Sequence, residues 1–183
     1  KNISTLGEGG MVVTNDPAVF ERVLRSGWRQ RMRSWYVLFF QIPWLPEKLL
    51  GMRGARMIGE AFRGMAVDKS RFPEEVLDVY RRAALEPGAL TAMINYYRAA
   101  VRGGGGRRQR SLGYPKIDTP TLMVWGEQDT ALGVELTDGT QDFVGDFTLR
   151  RLANASHWVQ QDAPEEVNAI LREWLSECRG RST

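Results

Sequence analysis

Histidine and cysteine are almost absent from the chain, which carries one of each, His157 and Cys178, in 183 residues. A single cysteine excludes an internal disulfide framework and any multi-cysteine metal site. A single histidine excludes every mechanism that needs two. No apolar run approaches the ~20 residues that a membrane span requires. The opening Lys1-Asn2-Ile3-Ser4 lacks the basic and then apolar regions of a secretory signal. Together these absences lead us to expect a soluble, cytoplasmic protein with no membrane span, no metal and no cofactor.

What is present is ordinary globular composition, 43% hydrophobic and 26% charged, at a length that suits about one domain with a sizeable core. The net charge of +3 is unevenly placed. Residues 1–113 carry 19 Lys/Arg against 10 Asp/Glu, and residues 114–183 carry 6 against 12. Of the 25 basic residues, 21 are arginine. Such asymmetry can mark a nucleic-acid surface. Here the arginines are dispersed among hydrophobic residues, except at Arg107-Arg108-Gln109-Arg110, so a solvated face is expected and a nucleic-acid partner is not.

Local signals divide the chain. Residues 1–16 are glycine-rich, with a turn at Gly9-Gly10 and a short strand over Met11–Thr14; Asn15-Asp16-Pro17 then caps a helix reaching about Arg33. From Ser34 to Leu50 the chain is strongly aromatic, and Pro43 and Pro46 predict a short helix over Trp35–Gln41 followed by a proline-bounded turn. Amphipathic segments follow at about 54–64 and 73–85, and Pro87-Gly88 opens a helix to about Arg102. Gly103–Gly106 reads as a flexible linker. After it the pattern becomes strand–loop–helix twice over: strands at Thr121–Trp125 and Phe147–Leu152, and a closing helix from Pro164 with Val167, Ile170, Leu171 and Trp174 on one face. That order implies a parallel sheet with chemistry at the carboxyl ends of its strands.

Two polar groups stand at those ends, Asp129 and His157, 28 residues apart. Loops after neighbouring parallel strands converge, so the carboxylate can accept the imidazole Nδ1–H and leave Nε2 to take a proton from water. Spacing alone leaves equal room for Asp129 as a turn cap and His157 as an ordinary loop residue.

The surrounding residues are more specific. Pro120-Thr-Leu-Met-Val-Trp-Gly-Glu-Gln-Asp129 and Ala155-Ser-His-Trp-Val-Gln-Gln-Asp-Ala-Pro-Glu-Glu-Val-Asn168 resemble the last third of α/β-hydrolases, and more narrowly of epoxide hydrolases. Ser34-Trp-Tyr-Val-Leu-Phe-Phe-Gln41 with Pro43-Trp-Leu-Pro-Glu47 is similar to the first cap segment of those enzymes, and Asn95-Tyr-Tyr-Arg98 to the second. The resemblance covers about residues 17–178. It implies that Asp129 and His157 are the acid and base, and that Tyr36 and Tyr97 are cap tyrosines whose O–H groups stabilise the alkoxide of an opening epoxide. Tyr96 takes that place if the register slips by one. Aromatic packing among Trp35, Phe39, Phe40 and Tyr96 would also account for both tyrosines. Trp35, Phe39, Trp125 and Trp158 are the candidate walls of a site for a small hydrophobic epoxide, although Trp125 and Trp158 read first as structural, packing beneath the acid loop and shaping the histidine loop. Cys178 reads as a spectator.

In that family the nucleophile is an aspartate in H-D-W-G-G and the oxyanion hole lies in H-G-x-P. Neither motif occurs here, nor does G-x-S-x-G. The resemblance therefore implies a partial α/β-hydrolase fold: a connecting helix at 17–33, a helical cap at 34–113, and the carboxyl-terminal part of the core at 114–183. Alone, such a chain is expected to be inactive on epoxides and poorly soluble, because its sheet edges lack partners. Residues 1–16 instead resemble the lysine segment of the DegT/DnrJ/EryC1 sugar aminotransferases. Lys1 would be the Schiff-base lysine, but nothing else of that fold follows, so no pyridoxal phosphate is assigned and the segment is taken as extraneous. Two alternatives remain beside the epoxide hydrolase reading: a haloalkane or haloacid dehalogenase, and an inactive remnant serving as an interaction module. Oligomeric state is not legible.

Overall fold

Helix starts follow the prolines and the acidic residues. The structure, a computed structural model, describes residues 35–102, 111, 113 and 115–181. The aminotransferase-like segment 1–16, the expected helix to Arg33 and the Gly103–Gly106 linker lie outside those residues. Helix α1, Trp35–Phe39, is short and buries none of its residues. Helix α2, Leu45–Met65, opens with Pro46 in its first turn, where the missing N–H would have had no helical partner. It breaks inside: Arg53, Gly54 and Ala55 have φ of 52°, 67° and 55°, so two helical arms meet at a left-handed corner. Only the second arm was expected, because the prolines suggested a turn up to Leu50.

Asp68 caps the turn after α2, its carboxylate accepting from the Ser70 N–H at 3.0 Å. Helix α3, Glu74–Leu85, starts after Pro73 with Glu74 and Glu75 in its first turn, where negative charge complements the helix dipole. Leu77, Tyr80 and Ala84 recur at helical spacing on its buried face, packed with Ile58, Phe62 and Phe72. Phe72 and Leu77 are fully buried, each worth about 1.5–3 kcal/mol by area removed from water. Helix α4, Ala89–Arg102, follows Gly88, whose φ of 82° suits glycine.

The second part of the chain is built on two parallel strands, β1 at Thr121–Gly126 and β2 at Phe147–Leu152, in register from Thr121 opposite Phe147 to Gly126 opposite Leu152. An α-helix was expected between them. Among the described residues the connection instead holds two single 3₁₀ turns, Val134–Thr137 and Thr140–Asp142. Gly133 and Gly139 interrupt any helical run there, and Gly139 is left-handed at φ 71°. After β2 come a one-turn helix α5, Val159–Asp162, and the closing helix α6, Pro164–Arg181. Ala155, Val159 and Val167 form a small core against Val124 and Leu152.

An aromatic stack joins the two parts. Phe62 of α2 lies 4.3 Å from Tyr80 of α3 on one side and 4.3 Å from Trp158 on the other, with interplanar angles of 21° and 25°. Trp158 precedes α5, so the stack sets the helical part against the loop that follows β2. Among the described residues no helix is long and apolar enough to cross a membrane, and no cluster of His, Cys, Asp and Glu could hold a metal ion.

Candidate active site

The loops leaving β1 and β2 are sewn together by their backbones. Glu127 N–H donates to Leu152 O and Gln128 N–H to Ala155 O, both at 3.0 Å. The Gln128 side-chain amide reaches Ala153 O at 3.0 Å. This close approach requires Gly126: a Cβ there would stand 2.2 Å from Ser156 O and 2.4 Å from Ala155 O.

Asp129 hangs from this seam with every side-chain contact directed. Its Oδ1 accepts from the Ala131 and Leu132 N–H groups at 2.7 and 2.8 Å, and its Oδ2 lies 2.8 Å from His157 Nδ1. Asp129 takes both places left open by spacing, one carboxylate oxygen capping the turn and the other pairing with the imidazole, so His157 is not an unengaged loop residue. Asp129 keeps 6% of its side-chain surface in contact with solvent and His157 keeps 22%. Beside an ionised carboxylate, Nδ1 must carry the proton, which makes Nε2 the basic nitrogen of the neutral ring.

The loop carrying His157 is held from below by two residues that sequence reasoning missed. Asp162 Oδ2 accepts from Ser156 N–H at 2.7 Å, and Ser156 Oγ accepts from Trp158 N–H at 3.1 Å. Ser156 is completely buried. These bonds fix the backbone on both sides of His157. The available signal was an acidic residue five positions after the histidine, at the end of the short turn before Pro164.

The helical part carries an aromatic cluster of its own, which holds both candidate cap tyrosines. Tyr36 and Tyr97 meet edge to face, centroids 5.7 Å apart at 85°. Phe40 contacts both rings, at 5.7 and 5.0 Å. Burial, then the Asp129 carboxylate, then Tyr96, push the Tyr36 phenol above its ordinary value. Burial does the same for Tyr96. Raised phenols stay protonated to higher pH and so keep an O–H to donate. Tyr96 packs against Tyr97 at 5.4 Å, so both register alternatives lie in the same cluster.

The four candidate wall residues are scattered. Trp35 is 63% exposed and touches Phe39, centroids 6.1 Å apart. Phe39 leans on Phe40 at 5.9 Å. Trp125 sits on β1 with its indole N–H buried and unbonded. Trp158 is edge-on to His157 at 4.9 Å and stacked on Phe62.

No family model matches the chain. It is 33% identical to Epoxide hydrolase 4 of Homo sapiens over 166 residues, which are 88% of this chain and 44% of that protein. Against Epoxide hydrolase 3 of Xenopus tropicalis the identity is also 33%, over 88% of this chain and 44% of that one. A solved structure, the Bacillus megaterium epoxide hydrolase with an inhibitor, superposes with a TM-score of 0.69 at 24% identity, covering 86% of this chain and 56% of that one. The chain thus spans about half the length of the curated relatives it matches.

Proposed function

We propose that the chain, whose fold is part of the α/β-hydrolase fold, supplies the water-activating pair and the epoxide-binding phenols of an epoxide hydrolase. The observation that carries this reading is the acid–base pair at the ends of β1 and β2, where the Asp129 carboxylate meets His157 Nδ1 at 2.8 Å. Relatives named epoxide hydrolases over most of this chain support it. In this reading residues 34–113 form the cap and 114–183 the carboxyl-terminal part of the core.

The chemistry divides between the two halves of the site. Tyr36 and Tyr97 donate O–H bonds to the epoxide oxygen of a small hydrophobic substrate. Attack by a carboxylate on a ring carbon breaks the C–O bond, forms an ester, and leaves an alkoxide that takes a phenolic proton. That carboxylate is not assigned to this sequence, which holds no H-D-W-G-G. His157 Nε2 then removes a proton from water and the hydroxide attacks the ester carbonyl; collapse of the adduct breaks the ester C–O bond, the imidazolium held by Asp129 returns its proton to the departing diol oxygen, and the carboxylic acid left behind re-protonates the phenolate. Of the candidate walls, Trp158 is assigned to that role, since its ring lies edge-on to His157. The dehalogenase alternative shares the ester but has no use for two phenols facing one oxygen.

The test joins the nucleophile-bearing half of an epoxide hydrolase to this chain and measures diol formation from styrene oxide. We expect no diol from the 183-residue chain alone, turnover by the chimera, and loss of that turnover in His157→Ala. Single Tyr36→Phe and Tyr97→Phe changes should slow it by about 100–1,000-fold, on the scale of one lost oxyanion donor. A folded chimera that releases halide from a haloalkane but makes no diol would favour the dehalogenase. A chimera whose turnover is indifferent to His157→Ala would refute the proposed role.

A further inference from the structure

Arg98 follows Tyr97 directly on α4, and all five of its guanidinium N–H groups are used. Nε donates to Phe40 O at 3.0 Å. Nη1 donates to Glu47 Oε1 at 2.6 Å and Asn95 Oδ1 at 3.2 Å. Nη2 donates to Ile42 O at 2.7 Å and Glu47 Oε2 at 3.1 Å. The fork therefore grips α2 through a carboxylate and, through two carbonyls, the backbone immediately after α1. Arg98 and Glu47 retain 16% and 18% of their side-chain exposure, so the pair is shielded and charge-assisted.

Helix α1 needs such a grip. It has five residues and buries none of them, and a helix of that length does not hold itself in water. Yet it carries Tyr36. Besides the aromatic contacts, the links from its end to α4 are polar: Gln41 Nε2 donates to Val37 O at 3.0 Å and to Tyr97 O at 3.3 Å, and Arg102, one turn beyond Arg98, donates to Gln41 O. Phe40, whose carbonyl Arg98 holds, is the ring that touches both Tyr36 and Tyr97.

We propose that Arg98 is a positioning residue that fixes Tyr36 and Tyr97 as an edge-to-face pair, with Glu47 orienting its fork. This rests on the reading of the two phenols as one donor site. A lysine keeps the charge but not the planar fork, and cannot hold two carbonyls and a bidentate carboxylate together.

The test uses the whole chain with ¹³Cζ-labelled tyrosine, no substrate, and Tyr36→Phe and Tyr97→Phe to assign the resonances. In the parent chain Tyr36 should titrate above the ordinary ~10 of a phenol and show a ring-to-ring Overhauser contact with Tyr97. In Arg98→Met we expect that contact to vanish and the Tyr36 midpoint to fall toward ~10, with the amide resonances of α3 and β1 unmoved. Arg98→Lys should restore neither signal fully, and Arg82→Met, at an exposed ion pair on α3, should change neither. Parent-like Tyr36 titration and contact in Arg98→Met would overturn the proposal. If Arg98→Met unfolds the helical part, a folded Arg98→Lys with the parent midpoint overturns it, and unfolding of both variants does so too, because Arg98 would then hold the fold and not the pair. No turnover is involved, so a failed chimera leaves this result standing, and the reverse is equally true.

Discussion

Replacing Gly126 by alanine tests the seam between the two loops with a single methyl group. Gly126 has no positive φ, so alanine can adopt its backbone and the whole effect is steric. The added Cβ would meet Ser156 O at 2.2 Å and Ala155 O at 2.4 Å, whereas close carbon–oxygen contacts lie at ~3.3 Å or more. The loop carrying His157 must therefore retreat by about 1 Å. A bond of 2.8 Å between His157 Nδ1 and Asp129 Oδ2, lengthened by that amount, passes out of hydrogen-bond range. Overpacking against rigid neighbours costs about 1–3 kcal/mol, and the obstacles here are backbone atoms, which points to the upper end. At ~2–4 °C per kcal/mol for a chain of this size, the melting temperature should fall by roughly 6–12 °C. Circular dichroism at 222 nm follows the melt, and the lone imidazole reports the loop by proton–nitrogen correlation spectra. A melting temperature within about 1 °C of the parent, with unmoved imidazole resonances, would refute the steric argument.

Phe62→Ala removes the middle ring of the stack joining Tyr80 to Trp158. We expect a loss of about 3–5 kcal/mol, read from the urea midpoint; a loss below ~1 kcal/mol would mean the stack contributes little to joining the two parts. The hydrogen bond from Arg98 holds Glu47 below the usual carboxylate range. A lowered folded value contributes stability that is complete above the unfolded value of ~4.3 and fades as pH falls from there through the folded value. The difference in urea midpoint between the parent and Glu47→Gln should accordingly be constant from pH 7 to about 5 and shrink below ~4.3. A difference that grows on acidification contradicts that sign.

The parts of the fold that were legible in the sequence carry short-range signals. Pro164 marks the start of α6, and the apolar run Thr121–Trp125 marks β1, because proline geometry and β-branched clustering act within a few residues. Parallel strands bring their ends together, which made the pairing of Asp129 with His157 possible, and the residues around the two singled it out. What failed to show depended on contacts between segments. The first arm of α2 lies beyond two prolines that read as a turn, and its corner at Arg53–Ala55 places a buried alanine at φ 55°, against local preference. The helix expected between the strands gave way to 3₁₀ turns around Gly133 and Gly139. Nothing local to Asp162 or Arg98 announces a partner, and only the folded chain turns one onto the Ser156 N–H and the other onto the carbonyls of Phe40 and Ile42.

The central claim is that Asp129 sets His157 to act as a base through Nε2, and the chain's single imidazole makes it directly measurable. Nitrogen-15 spectra of His157 across pH 5–9, a range chosen to bracket the ordinary histidine value of ~6.5, should show a neutral ring protonated at Nδ1, and a midpoint that falls when Asp129→Asn removes the negative partner. A neutral ring protonated at Nε2, or a titration indifferent to Asp129→Asn, would contradict the account.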